Sequence, residues 1–193
     1  MDEYVYQENN CLGESICEEI IELYNESIRE NKKYLNISFN NKEGSPWFNI
    51  KTMLKKILIN SIIKYREKTT LYNNEGNMIH RFSLDPICEN LPINLHFFTL
   101  KAYNKDYNDE SSYYYNSFMK DDYYPYFNYI IYLNTIEGGE TEISNVYKIK
   151  PERGKIIIFP VSWTYFHKEN KIETNECKYV IKGIVYAYRK RLL

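Results

Sequence analysis

Cysteine is sparse and unpatterned in this chain of 193 residues. Its four cysteines, Cys11, Cys17, Cys88 and Cys177, show neither CxxC spacing nor the density of a disulfide scaffold. Reduced thiols in a cytosolic compartment are the expectation. Long apolar runs are lacking as well. Stretches such as Ile156–Val161 are far too short to cross a membrane. No secretory leader is legible, because MDEYVYQENN is acidic and polar where a leader would be basic and then apolar. An excess of either charge is missing too: 25 Lys and Arg against 26 Asp and Glu leave −1, which argues against a nucleic-acid binder. No internal repeat is evident.

The chain does have hydrophobic residues at 44% and charged residues at 26%, the balance of a soluble globular protein, in a length that suits one domain. Its 21 tyrosines, with many Asn, Ile and Lys, reflect an AT-rich coding bias, so clusters of Asn and Tyr carry little functional signal. Charge is uneven along the chain. Residues 1–20 hold six acids and no base, and the stretch from Lys178 onward holds five bases and no acid. Two solvated ends explain this.

Apolar periodicity divides the chain near Pro92. Ile16, Ile20, Ile21, Tyr24 and Ile28 recur at helical spacing and predict a helix over 14–31, with Ser15 as its cap. Residues 34–45 read as a loop. Ser45-Pro46 is a helix start, and Ile50, Met53, Leu54, Ile57, Leu58, Ile62 and Tyr65 form one stripe over 46–66. Beyond Pro92 the period becomes two. Strands are expected at 95–103, 127–133, 140–143, 146–149, 155–159, 163–167 and 178–188, with a long loop at 104–125 that contains a short strand. Pro151-Glu152-Arg153-Gly154 reads as a type I turn closed by glycine. The expected architecture is α+β: one domain over 1–193, with a helical part at 1–92 and a β core at 93–193.

Several pieces of the second half fall in a specific order. YIIYLNTIEGGET at 129–141 is followed by Lys150-Pro151-Glu152-Arg153-Gly154-Lys155, the apolar Ile156–Phe159, His167, and Lys178-Tyr179-Val180. This succession resembles the prolyl 4-hydroxylases among the 2-oxoglutarate- and iron(II)-dependent oxygenases, over roughly 95–190. The resemblance implies a double-stranded β-helix, or jelly-roll, with the two helices on one sheet. It also implies a mononuclear iron site of two histidines and one carboxylate, with open positions for 2-oxoglutarate and oxygen. Carried over by position, His167 matches the second metal histidine. Lys178 matches the base that pairs with the far carboxylate of 2-oxoglutarate, and Tyr132 and Tyr103 match positions lining that pocket. Taken singly, each has a plain structural reading, as an edge histidine, a solvent-facing lysine and sheet tyrosines.

The H-x-D motif of the resemblance is missing. The best register places Tyr114 and Asn116 at its two ligand positions, and nothing from 111 to 117 is His, Asp or Glu. His80 lies before the barrel, and His96 shares a strand face with Phe98, Leu100 and Ala102. Asp106, Asp109 and Glu110 are nearby loop acids that could supply a carboxylate, though not the first histidine. A neutral phenol and an amide oxygen are poor iron(II) ligands. The implied function is therefore a pseudo-oxygenase that needs no cofactor and acts as a protein-binding or decoy module. The chain also resembles, loosely, the prolyl-hydroxylase-like domains of certain poxvirus virulence proteins. That implies a viral protein acting in the host cytoplasm, with a host prolyl hydroxylase as partner. Two readings stand beside it. One is an active dioxygenase that uses Fe(II) and 2-oxoglutarate through an unusual ligand set to hydroxylate a peptidyl proline or similar side chain. The other is a plain structural β-domain.

Overall fold

A computed structural model of the chain describes residues 4–28, 34–38, 44–69, 71–72, 75, 78–80, 97–105 and 123–188. In chain order these form β1 (Tyr6–Glu8), α1 (Glu14–Ser27), β2 (Tyr34–Ser38), α2 (Trp47–Thr69), β3 (Leu71–Tyr72), β4 (Met78–His80), β5 (Phe97–Tyr103) and β6 (Tyr123–Tyr132). There follow β7 (Thr141–Ile143), β8 (Tyr147–Ile149), β9 (Ile156–Pro160), a 3-10 turn (Trp163–Tyr165), β10 (His167–Glu169) and β11 (Lys178–Tyr188).

The strands build a major sheet in the order β1-β9-β6-β11-β5-β2 and a minor sheet in the order β10-β7-β8. Every pairing in both is antiparallel. One face of the major sheet carries Phe98, Leu100, Phe127, Ile131, Ile156, Ile158, Ile181 and Val185 into a core shared with both helices. The other face meets the minor sheet, where Ile130, Tyr132, Ile157, Phe159 and Val180 close on Ile143 and Ile149. This is the jelly-roll with helices on one sheet that the sequence implied. The alternation of the strands creates the two cores, because successive side chains of a strand leave on opposite faces.

α2 follows its apolar stripe closely. Ile50, Leu54, Leu58, Ile62 and Tyr65 are buried, while Met53 and Ile57 pack at the margin. Its start is as expected, with the Trp47 amide donating to Ser45 Oγ at 3.3 Å. The helix runs to Thr69, beyond the expected end at 66, and its final turn carries Arg66 and Lys68, charges that suit a helix C-terminus. α1 is shorter than expected, closing when the Ile28 amide bonds Tyr24 O at 2.9 Å. Ser15 is inside α1 and does not cap it; Gly13 stands at the cap position without a side-chain bond.

Four further expectations are corrected. Residues Tyr34–Ser38 form edge strand β2, paired with β5. β1 joins β9 at the opposite edge, so the helical N-terminal part contributes both outer strands of the sheet. Residues 163–167 begin as a 3-10 turn held by Ser162, and only His167 onward is a strand. The turn at 151–154 is shifted by one residue. The Lys155 amide donates to Glu152 O at 3.0 Å, and Gly154 has φ +73°, the left-handed backbone a type II turn requires at that position.

Candidate functional site

The site lies between the sheets, where β5, β11 and β10 approach one another. In β11 the alternation sends Lys178, Val180 and Lys182 toward the minor sheet while Ile181 and Val185 face the helices. Lys178 lies opposite Tyr103, and Lys182 opposite both Thr99 of β5 and Ile130 of β6. In β10, His167 stands opposite Ile143 and Glu169 opposite Thr141. Two residues apart on one strand, His167 and Glu169 share a face.

Lys178 is fully buried, and its ammonium is shared by two acceptors. It donates to Glu169 Oε2 at 2.5 Å and to the Gly139 carbonyl at 2.5 Å. The second oxygen of Glu169 accepts from Lys182. Thr141 Oγ1 donates to Glu169 Oε2 at 2.8 Å, and the Tyr132 hydroxyl donates to Thr141 Oγ1 at 2.6 Å. Glu169 is thus the hub of a closed network, its side chain only 3% exposed. Gly139 makes its part possible. Its φ is +65°, and a Cβ there would stand 2.9 Å from Ile172 Cγ1, so a larger residue would push the carbonyl away from Lys178.

The Tyr103 ring gathers the positive charge. The ammonium groups of Lys178, Lys182 and Lys101 lie 5.2, 5.3 and 6.0 Å from its centroid. These are cation–π distances. His167 packs edge-on against Phe159 with centroids 5.1 Å apart.

These surroundings set the protonation states. Burial pushes the His167 pKa down, Lys182 pushes it further, and the value falls to about 3 despite the opposing Glu169, so the ring is neutral at neutral pH. Burial alone would raise the Glu169 pKa, but Lys182 and Lys178 outweigh it and hold the carboxyl far below its ordinary range. Burial lowers the Lys178 pKa, opposed chiefly by Glu169. Burial, with Glu169 adding to it, keeps Tyr132 protonated.

Of the residues singled out in the sequence, Lys178, Tyr132 and Tyr103 converge on this network, and His167 lies beside it. Tyr114 and Asn116 fall outside the described residues, as do His96 and the loop acids Asp106, Asp109 and Glu110. His80 pairs with Leu71 in a separate two-stranded sheet. Sequence reasoning missed Glu169, Thr141, Lys182 and Lys101. One signal was available for Glu169: His167-Lys168-Glu169 sets a carboxylate two residues from a histidine, on the same strand face.

Among the described residues, the side chains at this site do not match the two histidines and one carboxylate of the implied iron chemistry. The chain has three histidines, and His167 is the one that lies at this site among the described residues. Glu169 could complete a histidine–carboxylate couple, but both of its oxygens are held by ammonium groups that a cation would have to displace. Among the described residues no three His, Cys, Asp or Glu side chains are placed to hold a metal. Lys178, the base expected to receive the co-substrate, already holds a carboxylate of the chain itself.

Neither a family model nor a curated relative matches this sequence. Solved structures do match its fold. The viral collagen prolyl hydroxylase of Paramecium bursaria Chlorella virus-1, in its 2-oxoglutarate complex, superposes with a TM-score of 0.62 at 15% identity, covering 96% of this chain and 97% of that one. A prolyl 4-hydroxylase from Phytophthora capsici gives 0.60 at 14% identity, over 98% of this chain and 60% of that one. A Trichoplax adhaerens prolyl hydroxylase, in complex with a peptide from the oxygen degradation domain of hypoxia inducible factor, gives 0.53 at 13% identity, over 96% and 84%. The chain therefore has the prolyl 4-hydroxylase-like fold of the 2-oxoglutarate oxygenases.

Proposed function

We propose that this protein is a prolyl-hydroxylase-like pseudo-oxygenase, a barrel kept for binding another protein after its iron chemistry was lost. The observation that carries this reading is the buried Lys178–Glu169 pair. The base expected to take the far carboxylate of 2-oxoglutarate is held by Glu169, which is also bound by Lys182 and Thr141. An incoming dicarboxylate would have to displace a carboxylate that is tethered and already desolvated. Absence of H-x-D from 111–117 points the same way.

A protein partner is favoured over a small substrate by the surface near the site. Trp163 is 79% exposed on the turn before β10, and Val146 is 69% exposed on the β7–β8 hairpin. Ser144 fastens these two segments, its hydroxyl donating to Thr164 O at 2.6 Å and its amide to Phe166 O at 2.8 Å. Exposed tryptophan on an anchored turn suits a protein interface. A host prolyl hydroxylase, acting in the host cytoplasm, remains the partner that the resemblance suggests. The Trichoplax relative, bound to a peptide, illustrates that one barrel of this fold engages a polypeptide.

The test is anaerobic addition of iron(II) and 2-oxoglutarate, watched for the visible charge-transfer band of the chelate, followed by a succinate assay in oxygen. Neither signal is expected. A band that disappears in His167→Ala, with succinate formed, would instead establish the active dioxygenase.

A further inference from the structure

A cleft of about 340 Å³ opens beside the buried ion-pair network. Asn36 of β2 stands at its rim, Asn128 and Ile130 of β6 and Ile184 of β11 line it, and His167 of β10 is its wall from the minor sheet. Asn128 shares the strand face of Ile130 and Tyr132, because residues two apart leave a strand on the same side. Its carboxamide is therefore turned into the cleft and away from the helices. Its partners across the ladder, Ile184 of β11 and Phe159 of β9, are both apolar.

Asn128 is 8% exposed, and no hydrogen bond reaches its side chain from any described residue. A carboxamide carries two donors and an acceptor, so all of them are unmet by the chain. Buried polar groups are nearly always bonded, and an exception asks for a water, an ion or a ligand. One water occupies about 30 Å³, a small part of this space. A second such group lies nearby. The His167 ring packs edge-on against Phe159, and its nitrogens receive no hydrogen bond from a described residue. At the rim, Thr99 donates to Asn36 Oδ1 at 2.7 Å, which leaves the Asn36 NH2 as a further donor. Between these polar groups the surface is the apolar floor of Ile130 and Ile184.

We infer that this cleft binds an uncharged carboxamide carried on a compact apolar body. The ligand's amide would pair with the Asn128 carboxamide, N–H to O in both directions, with its body against Ile130 and Ile184. Two amides matched in this way satisfy a donor and an acceptor on each side. A carboxylate, which only accepts, leaves the Asn128 oxygen unmet. Neither a metal nor the co-substrate takes part, so the site stands apart from the pseudo-oxygenase reading.

The experiment is NMR titration of the intact, nitrogen-15-labelled chain with benzamide, with glutamine blocked at both ends, and with benzoate. The Asn128 side-chain NH2 resonance, identified by its loss in Asn128→Leu, should move and saturate with at least one of the amides, with a dissociation constant in the low millimolar range. Tighter binding of benzamide assigns a free aromatic amide, and of blocked glutamine a polypeptide side chain. Benzoate, which the wall lysines Lys101 and Lys182 would favour on charge alone, should bind more weakly than benzamide. Asn128→Asp and Asn128→Leu should each weaken amide binding by about tenfold, since each removes the donors. Lys148→Gln, on exposed β8, should leave it unchanged. Circular dichroism confirms that each variant is folded, and the comparison of benzamide with benzoate in the unmodified chain needs no substitution. Absence of saturation by either amide to about 20 mM would overturn the inference. So would benzoate binding as tightly as benzamide, an Asn128 resonance that stays still, or equal amide binding in Asn128→Leu. An iron-dependent chelate band would refute the pseudo-oxygenase reading and leave this site standing.

Discussion

Glu169 decides more about this molecule than any residue singled out from its sequence. Its carboxylate and the Lys178 ammonium are 3% and 0% exposed, so each is desolvated and relies on the other. Removing one partner of such a pair leaves an uncompensated buried charge, which costs about 3 to 5 kcal/mol. Glu169→Gln is therefore expected to lower unfolding free energy by that amount in urea denaturation. The double variant Lys178→Met/Glu169→Leu should recover only part of the loss, because it removes the Lys178–Glu169 pair but leaves Lys182 without its carboxylate. If Glu169→Gln proved neutral, the pair would not be the structural hub described.

Tyr129 poses a smaller problem at the same scale. Its ring covers Gly183 in the helix-side core, so close that a Cβ on Gly183 would lie 2.3 Å from the hydroxyl oxygen and 2.5 Å from Cζ. That explains a glycine in the middle of a long strand. The hydroxyl itself is buried with no hydrogen-bond partner among the described residues. An unsatisfied buried donor costs about 1 to 3 kcal/mol. Tyr129→Phe should thus stabilise the protein, by about 1 kcal/mol, where the same change at a bonded tyrosine would destabilise it. Gly183→Ala should cost about 1 to 3 kcal/mol by overpacking. Paired urea denaturation curves would show both effects.

At the scale of elements, β10 brings His167 and Glu169 to one face of the site, and this should make the fold sensitive to acid. Lys182, Lys101 and Glu169 are the charged groups acting on His167. Its pKa falls from an ordinary 6.5 to about 3 in the folded state, so the unfolded chain binds the proton more readily between those values. Stability contributed this way is fully present above pH 6.5 and declines as pH falls toward 3. Glu169, also lowered, adds a loss of the same sign that starts near its unfolded pKa of 4.5. Thermal midpoints should therefore drop on acidification from pH 7 to 5. His167→Phe should flatten the upper part of that drop and leave the lower part. An unchanged slope in His167→Phe would remove the histidine from the account.

The same elements show what the sequence could reveal. β6, β9 and β11 were legible because each is an apolar or alternating run whose faces both find partners, and α2 because its stripe is long and has a start signal. β2 was not, since Tyr34 is 54% exposed and Asn36 lies at the rim, which leaves only Leu35 and Ile37 as apolar signal in an edge strand. Trp163–His167 read as a strand because aromatic residues dominate it, yet Ser162 folds its first half into a 3-10 turn. Lys178, Tyr132 and Tyr103, singled out through motif order, meet in one buried network. Glu169 was not singled out, because its meaning comes from a contact between β10 of one sheet and β11 of the other, which no local pattern announces. Lys101 and Lys182 look like ordinary strand lysines until the alternation is known to turn them inward.

For the whole molecule, the question is whether metal and co-substrate are energetically linked. In a working oxygenase of this fold, 2-oxoglutarate chelates the metal while a base holds its far carboxylate, so each ligand tightens the other and the coupling is reciprocal. Here the base holds Glu169, and the histidine beside it faces two nearby ammonium groups that disfavour a cation. On the proposed pseudo-oxygenase reading, residues of the chain itself, on strands of different sheets, oppose both halves of that linkage. The expected outcome is weak 2-oxoglutarate binding whose affinity is the same with and without a redox-inert divalent metal such as manganese(II). Calorimetry under both conditions measures this directly, and the ratio of the two affinities should be close to one. A tightening of about tenfold would mean about 1.4 kcal/mol of coupling. Manganese would then be reaching a site that Lys178, Lys182 and Glu169 are arranged to close, and the active-dioxygenase reading would take precedence.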